Sequence, residues 1–329
     1  MPWRATGSTR RWRVAEPFAL AALAIEAGFG WPQALYDRIG HPVGGFARLI
    51  NGCEARWNRG APTRRRRMGI LTIILLAVLA GGAGWALEAA AERIAGRWAW
   101  VLIGLLAAPG LAQRSLHDHV RAVAEPLAAG DLPAARAAVA RIVGRDTEAL
   151  DEAGIGRAAI ESLAESFCDG VAAPLFWLLL LGLPGIWAYK AINTADSLIG
   201  HREERWRDFG WAAARLDDVA NLVPARFAGL LVCLAGGRVL GPRAGFASMR
   251  RDAHRHASPN AGWPEAAMAG VLGLRLGGPV AYDGVWHDKP WIGDGRAAAD
   301  AADVARALDV YRHACLCLWL VAGLVAWRG

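Results

Sequence analysis

Residues 69–87, GILTIILLAVLAGGAGWAL, decide the fold. No charged side chain interrupts this run, and as a helix it would rise about 28 Å, close to the thickness of a bilayer's hydrocarbon core. Just before it, residues 51–68 carry Arg56, Arg59, Arg64, Arg65, Arg66 and Arg67 against one acid, Glu54. A basic block beside an apolar span reads as the positive flank that sets membrane orientation rather than as a nucleic-acid surface. No aromatic-studded basic helix, zinc spacing or RNA-binding signature accompanies it.

The rest of the chain agrees. Of 329 residues 54% are hydrophobic, and the mean hydropathy of +0.22 is high for a soluble domain. The net charge of +7 is carried almost wholly by arginine, since Lys190 and Lys289 are the only lysines. A second span is expected over about 98–112, forming a hairpin with the first, and a third over 313–327. Three apolar stretches are less regular. Residues 17–30 are short and suit an interfacial or partly inserted helix. Residues 171–189 are interrupted by Gly182-Leu183-Pro184-Gly185, which predicts a broken or re-entrant element. Residues 226–242 contain Gly229, Gly236, Gly237 and Arg238.

Segments 113–160 and 243–312 read as helical stretches outside the bilayer, with Asp131 as an N-cap and Pro133 in the first turn that follows. No strand pattern is evident. The expectation is therefore an all-α, polytopic integral membrane protein, one domain over 1–329, with helical loops packed on its spans. Arg10, Arg11 and Arg13 precede the first apolar stretch. They allow a twin-arginine export signal, but Glu26 and the lack of a small-residue cleavage site favour retention in the membrane. The five cysteines (Cys53, Cys168, Cys233, Cys315 and Cys317) form no CxxC pair and read as reduced packing residues.

Three polar clusters stand out. In ESLAESFCDG, Glu161, Glu165 and Asp169 recur every four residues and would share a helix face, where like charges favour either solvation or a common cation. In 189–226, YKAINTADSLIGHREERWRDFGWAAARLDDVANLVPAR, amides and acids (Asn193, Asp196, Asp217, Asp218) mix with Arg202, Arg205, Arg207 and Arg215. Such a mixture fits a magnesium-phosphate site, and it also fits a salt-bridged surface. In 258–265, SPNAGWPE, Ser258, Asn260 and Gly262 lead into a helix whose N-terminus could hold an anion or simply be capped. His254 and His256 lie beside it. No Walker-type phosphate loop, G-x-S-x-G elbow or HExxH is present.

Taken together, ESLAESFCDGVAAPLFW, the 189–226 stretch and SPNAGWPEAAMAGVLGLRLGGP, with HPVGGFARLI upstream, closely resemble the CobD/CbiB family of cobalamin-biosynthesis membrane proteins, the adenosylcobinamide-phosphate synthases. The resemblance runs from about residue 17 to the C-terminus. Ser166 departs from the asparagine usual in the family, and Glu26 from a common aspartate.

The resemblance implies ATP-dependent amide ligation of adenosylcobyric acid with aminopropanol or its O-phosphate, in the inner membrane, with the active site reached from the cytoplasm. Partners would be those substrates, membrane lipid and other late-pathway enzymes, with no nucleic acid. For magnesium the implied candidates are Glu161, Glu165, Asp169, Asp196, Asp217 and Asp218. Arg202, Arg205, Arg207 and Arg215, with Ser258 and Gly262, would bind phosphate or carboxylate. Asn193 and Asn260 would orient substrate, and Glu165 or Asp218 would take the amine's proton. The alternative is a non-catalytic sensor or corrinoid-transport component of the same fold. Topology adds a constraint: if 171–189 and 226–242 both cross, then 190–225 faces away from 113–160 and 243–312. At least one of the two is therefore expected to be re-entrant, or the site to lie at membrane depth.

Overall fold

The computed structural model describes residues 17–282 and 284–328, so Arg10, Arg11 and Arg13 lie outside the described residues. The apolar run at 69–87 forms the middle of α4 (Pro62–Ala95), following α1 (Phe18–Phe29), α2 (Gln33–Ile39) and α3 (Pro42–Trp57). Leu71, Ile74, Val78 and Trp85 recur at helical spacing on α4 and are exposed. In water such a stripe would be costly, and in a bilayer it faces acyl chains. Among the described residues, four helical stretches are long and apolar enough to cross a membrane: Pro62–Ala128, Glu152–Ile199, Trp211–Ala235 and Ala301–Arg328. A fifth results if the pair formed by α1 and 33–57, bent by 102°, counts as one.

The second span expected at 98–112 is shorter than predicted. Its α-helix, α5, covers only Ala99–Ala107 between two 3-10 turns, a rise of about 14 Å, because Gly96 and Pro109-Gly110 end it on either side. Beyond it come α6 (Gln113–Ala128) and α7 (Leu132–Val139). Asp131 does cap α7, accepting from the Ala134 N–H at 3.0 Å. Glu26 of α1 caps α6 from 88 residues away in sequence: its two carboxylate oxygens accept the Arg114 N–H at 3.0 and 3.1 Å.

The broken element at 171–189 is present and is sharper than a kink. α8 (Glu152–Phe167) passes through a π-helical turn, Cys168–Ala172, into α9 (Ala173–Ile199). Within α9 the path reverses at Gly182, whose φ of 69° and ψ of −152° suit glycine alone. The restart leaves the Leu183 N–H without a helical partner, and Glu88 of α4 accepts it at 2.8 Å. The second half of α9 then runs back along α4. Leu183 packs against Gly84 and Phe209 against Gly69, at positions where a Cβ would meet backbone atoms.

The span expected at 226–242 is displaced towards the N-terminus. It is α10, Trp211–Ala235, so Arg215, Asp217, Asp218 and Asn221 sit within the apolar helix rather than ahead of it. Then follow α11 (Pro242–Asp252) and α12 (Gly262–Leu272). After these come four short strands that the sequence did not suggest, β1 (Leu276–Gly277), β2 (Val280–Tyr282), β3 (Val285–His287) and β4 (Trp291–Ile292). They pair antiparallel as β1 with β4 and β2 with β3. The final helix, α13 (Ala301–Arg328), contains the apolar run expected at 313–327. The fold is all-α and polytopic apart from these strands. All five cysteines are unpaired, four of them buried.

Candidate active site

Residues 200–210 join α9 to α10 and lie against the arginine-rich start of α4. Arg65 donates to the Glu204 carbonyl at 2.7 Å and pairs with Asp208 at 3.9 Å, and Arg66 stacks on Trp211 at 3.8 Å. This anchors the polar stretch at the same end of the bundle as the basic block.

Behind that loop the reversal at Gly182 brings both arms of its hairpin together. Asn193 donates to Asp169 Oδ2 and to Asp217 Oδ1, each at 3.2 Å. Asn221 donates to Asp217 Oδ2 at 3.0 Å, and its own carbonyl oxygen accepts from the Tyr189 hydroxyl at 3.1 Å. Helices α9 and α10 and the π-helical turn thus contribute to one connected network. A π-turn re-aims side chains by inserting one extra residue per turn, and such turns are frequent at functional sites.

Asp169 and Asp217 open, with Glu165, Asp196 and Asp218, into a cavity of about 400 Å3, which is also lined by Arg202, His256, Ser258 and Asn260. Five carboxylates around one cavity repel one another and attract a cation. Among the described residues, no three His, Cys, Asp or Glu side chains converge as a ready-made metal site. Magnesium does not require one: it commonly takes one or two carboxylates and completes its shell with water and substrate phosphate. The donor set therefore fits a magnesium-nucleotide better than a bare, fully caged ion.

Several expected site residues have other duties. Glu161 does not join Glu165 and Asp169, because one turn earlier on α8 it meets Arg145 at 2.5 Å and accepts the Gly277 N–H at 2.7 Å. Arg205 turns outward to Glu54 at 3.2 Å and over Trp206. Arg207 is exposed on the loop, and Arg215 pairs with Asp218 at 3.5 Å while remaining largely exposed. Of the four arginines, Arg202 alone lines the cavity.

Asn260 lines the cavity too, but its amide is committed. It donates to the Asp218 carbonyl at 2.8 Å and accepts from Arg226 at 3.2 Å, tying 256–261 to α10. Ser258 Oγ accepts the Asn260 and Ala261 N–H groups at 3.2 and 3.3 Å, the local cap that the spacing allowed. Gly262 serves packing: a Cβ there would lie 2.0 Å from the Ala253 carbonyl oxygen. The loop 256–261, in the segment expected to face away from 190–225, therefore sits beside Gly200 and Arg202 in the same cavity.

His256 is better placed than its loop position suggested. Its Nδ1 accepts the Ser258 N–H at 3.0 Å, which puts the neutral ring's proton on Nε2, 3.6 Å from Glu265. Burial holds the imidazole below its ordinary value. Burial, with Glu165 and Glu161 nearby, raises the Glu265 carboxyl well above the carboxylate range.

Glu165 and Asp169 also border a second cavity, of about 460 Å3, whose far wall carries Ser115, His119, Arg141 and Lys190. Lys190 belongs to no motif that marks it as a site residue. The available signal was an ionisable residue in an apolar helix, itself a functional indication.

A multi-pass helical membrane protein with an acid-lined cleft among its long helices is the class that this fold and site define. The chain belongs to the CobD/Cbib protein family, whose model matches residues 19–311. It is 52% identical over 311 residues to the cobalamin biosynthesis protein CobD of Rhodobacter capsulatus, covering 93% of this chain and 96% of the relative. The protein of the same name from Sinorhizobium fredii (strain NBRC 101917 / NGR234) is 46% identical over 305 residues, covering 91% and 93%. That from Rhizobium meliloti (strain 1021) is 44% identical over 300 residues, covering 89% and 91%. No solved structure matches. The chain is thus a cobalamin-biosynthesis protein of this family.

Proposed function

We propose that this protein is an ATP-dependent amide ligase that joins adenosylcobyric acid to aminopropanol or its O-phosphate, giving adenosylcobinamide or its phosphate. One observation carries the reading: the five-carboxylate cavity meets a cavity bearing Lys190 and Arg141, with Glu165 and Asp169 on the shared border. An amide ligase must hold a metal-bound polyphosphate and a carboxylate side by side without mutual repulsion, and a cleft sorted by charge does that.

ATP and magnesium, when bound, would supply the phosphoryl group and the charge that neutralises it. One or two of Asp169, Asp196, Asp217, Asp218 and Glu165 would hold the metal, with Arg202 at the phosphates. Activation transfers a phosphoryl group to the substrate carboxylate and releases nucleoside diphosphate. The amine then attacks the activated carbonyl and expels phosphate. Glu165, exposed within the cleft, accepts the proton that the ammonium must lose, and Asp218 is the second candidate. Asn193 keeps Asp169 and Asp217 aligned through its two hydrogen bonds.

The arginine-rich start of α4 would face the cytoplasm of a cell-membrane protein, giving nucleotide and any later pathway enzymes access from that side and lipid contact along α4 and α13. The test is amide formation by purified Glu165→Gln and Asp218→Asn with cobyric acid, ATP and magnesium. Full activity in both would overturn the acidic-site assignment. Corrinoid binding without turnover by the wild type would leave a non-catalytic component.

A further inference from the structure

A third cavity, of about 580 Å3, continues from the Lys190 side of the cleft, sharing Ser115, His119, Arg141 and Lys190 with its neighbour. Its character is opposite to that of the acidic end. Its ionisable lining groups include Arg141, Lys190, His41 and His119, and its one carboxylate, Glu26, is committed to the α6 N-terminus. Aromatic residues form the other wall. Trp31 and His41 meet edge to face with centroids 5.0 Å apart, and Tyr36 of α2 stands beside them. The Trp31 indole N–H is buried and has no hydrogen-bond acceptor.

We infer that this outer cavity seats the macrocycle of the larger substrate, a broad ring fringed with amides, and that Lys190 receives the free carboxylate to be ligated. The inference rests on the ligation reading and adds the placement of that substrate. Four features support it. Aromatic faces suit a flat ring. A buried indole N–H without an acceptor is costly, and Trp31 sits directly before α2, so the movement that admits the ligand would let a fringe amide carbonyl reach that N–H. Lys190 and Arg141 are the cations at the junction with the cavity that holds Glu165 and Asp169, and Lys190 lies on the helix arm whose Asn193 reaches Asp169, so a carboxylate on it points at the reacting centre. Helix α2 buries none of its residues and is joined through Gly30 (φ 56°) and Gly40 (φ 69°), so it can swing aside to admit a ligand wider than the resting cavity.

The experiment is equilibrium binding of cobyric acid, followed by its own absorbance, to the detergent-solubilised full chain without nucleotide. Cobinamide, in which an amide replaces that carboxylate, serves as the second probe. Tyr36→Ala, at an exposed position outside the core, should weaken both probes and keep the wild-type thermal midpoint. Lys190→Met should weaken cobyric acid roughly 10- to 100-fold, the loss expected for a charge-assisted contact, and leave cobinamide near wild type. Trp31→Phe, which keeps a ring and removes the N–H, should weaken both. Magnesium-dependent binding of a fluorescent ATP analogue should be unchanged in Tyr36→Ala. Wild-type affinity for cobyric acid in Tyr36→Ala and Lys190→Met would overturn the inference, as would equal loss of both probes in Lys190→Met. A wild type that binds corrinoid in this way but forms no amide would overturn the ligation reading and leave the seat standing.

Discussion

The side-chain amide of Asn193 lies 3.2 Å from Asp169 Oδ2, although a helix reversal at Gly182 separates them in the chain. That contact turns an apolar stretch long enough to cross a bilayer into a hairpin whose two arms end at one site. It also removes the conflict in which 190–225 would face away from 243–312, because loops from both segments line the same cavity.

The reversal depends on Gly182. Alanine there would be strained at φ 69°, and its Cβ would lie 2.4 Å from Glu88 Oε2. Gly182→Ala is expected to cost about 1–3 kcal/mol and to lower the thermal midpoint of the detergent-solubilised protein. Glu88→Ala should lower it as well, by leaving the Leu183 N–H unsatisfied.

Glu161 and Glu165 lie four residues apart and should behave oppositely. Glu161→Gln leaves the mostly buried Arg145 without its counter-ion and should destabilise by about 3 kcal/mol, with turnover per folded molecule near wild type. Glu165→Gln should keep its thermal midpoint and lose about 100- to 10,000-fold in turnover. Parallel melting curves and rate assays separate the two.

Arginines 202 and 205 make a similar pair. Arg202→Ala should raise the KM for nucleotide, because this side chain lines the acidic cavity. Arg205→Ala removes a largely exposed ion pair with Glu54 and should change stability by at most about 1 kcal/mol, with KM unchanged.

His256 predicts an acid limb. Its folded pKa is held below the ordinary 6.5, chiefly by burial, while Glu165 and Glu161 pull the other way and Lys289 adds to the lowering. The folded protein therefore takes up a proton less readily than the unfolded chain. Its contribution is complete above about pH 6.5 and is lost as pH falls through the folded value. Protonation at Nδ1 also removes the acceptor for the Ser258 N–H. Thermal midpoint measured against pH should fall on the acid side, and His256→Asn should flatten that fall. An unchanged slope in the variant would contradict it.

What the sequence made legible followed from local physics. The charge-free run at 69–87, the Gly182-Pro184 break and the Asp131 cap each depend on a few neighbouring residues, and each is present. Spacing alone left the acids of the cleft open between a site and a salt-bridged surface; the resemblance of their motifs singled them out, and their division of labour was not legible from either. Whether Glu161 meets a metal ion or the Arg145 guanidinium is settled by a loop sixteen residues upstream folding over α8. Glu26 and Glu88 act as caps for helices nearly a hundred residues away, which no local pattern reveals. Tyr189 and Asn221 enter the network only through packing of α9 on α10. The short strands near 276–292 escaped because two- and three-residue strands carry no alternation.

The central claim is that the acid-lined cleft couples nucleotide consumption to amide formation. Its most direct test counts both in one reaction, with purified full-length protein, cobyric acid, aminopropanol or its O-phosphate, ATP and magnesium, beside the Asp217→Asn variant. One nucleotide should be consumed per amide formed, and both should fall together by at least about 100-fold in the variant. Amide formation that proceeds without nucleotide, or at the wild-type rate in Asp217→Asn, would contradict it.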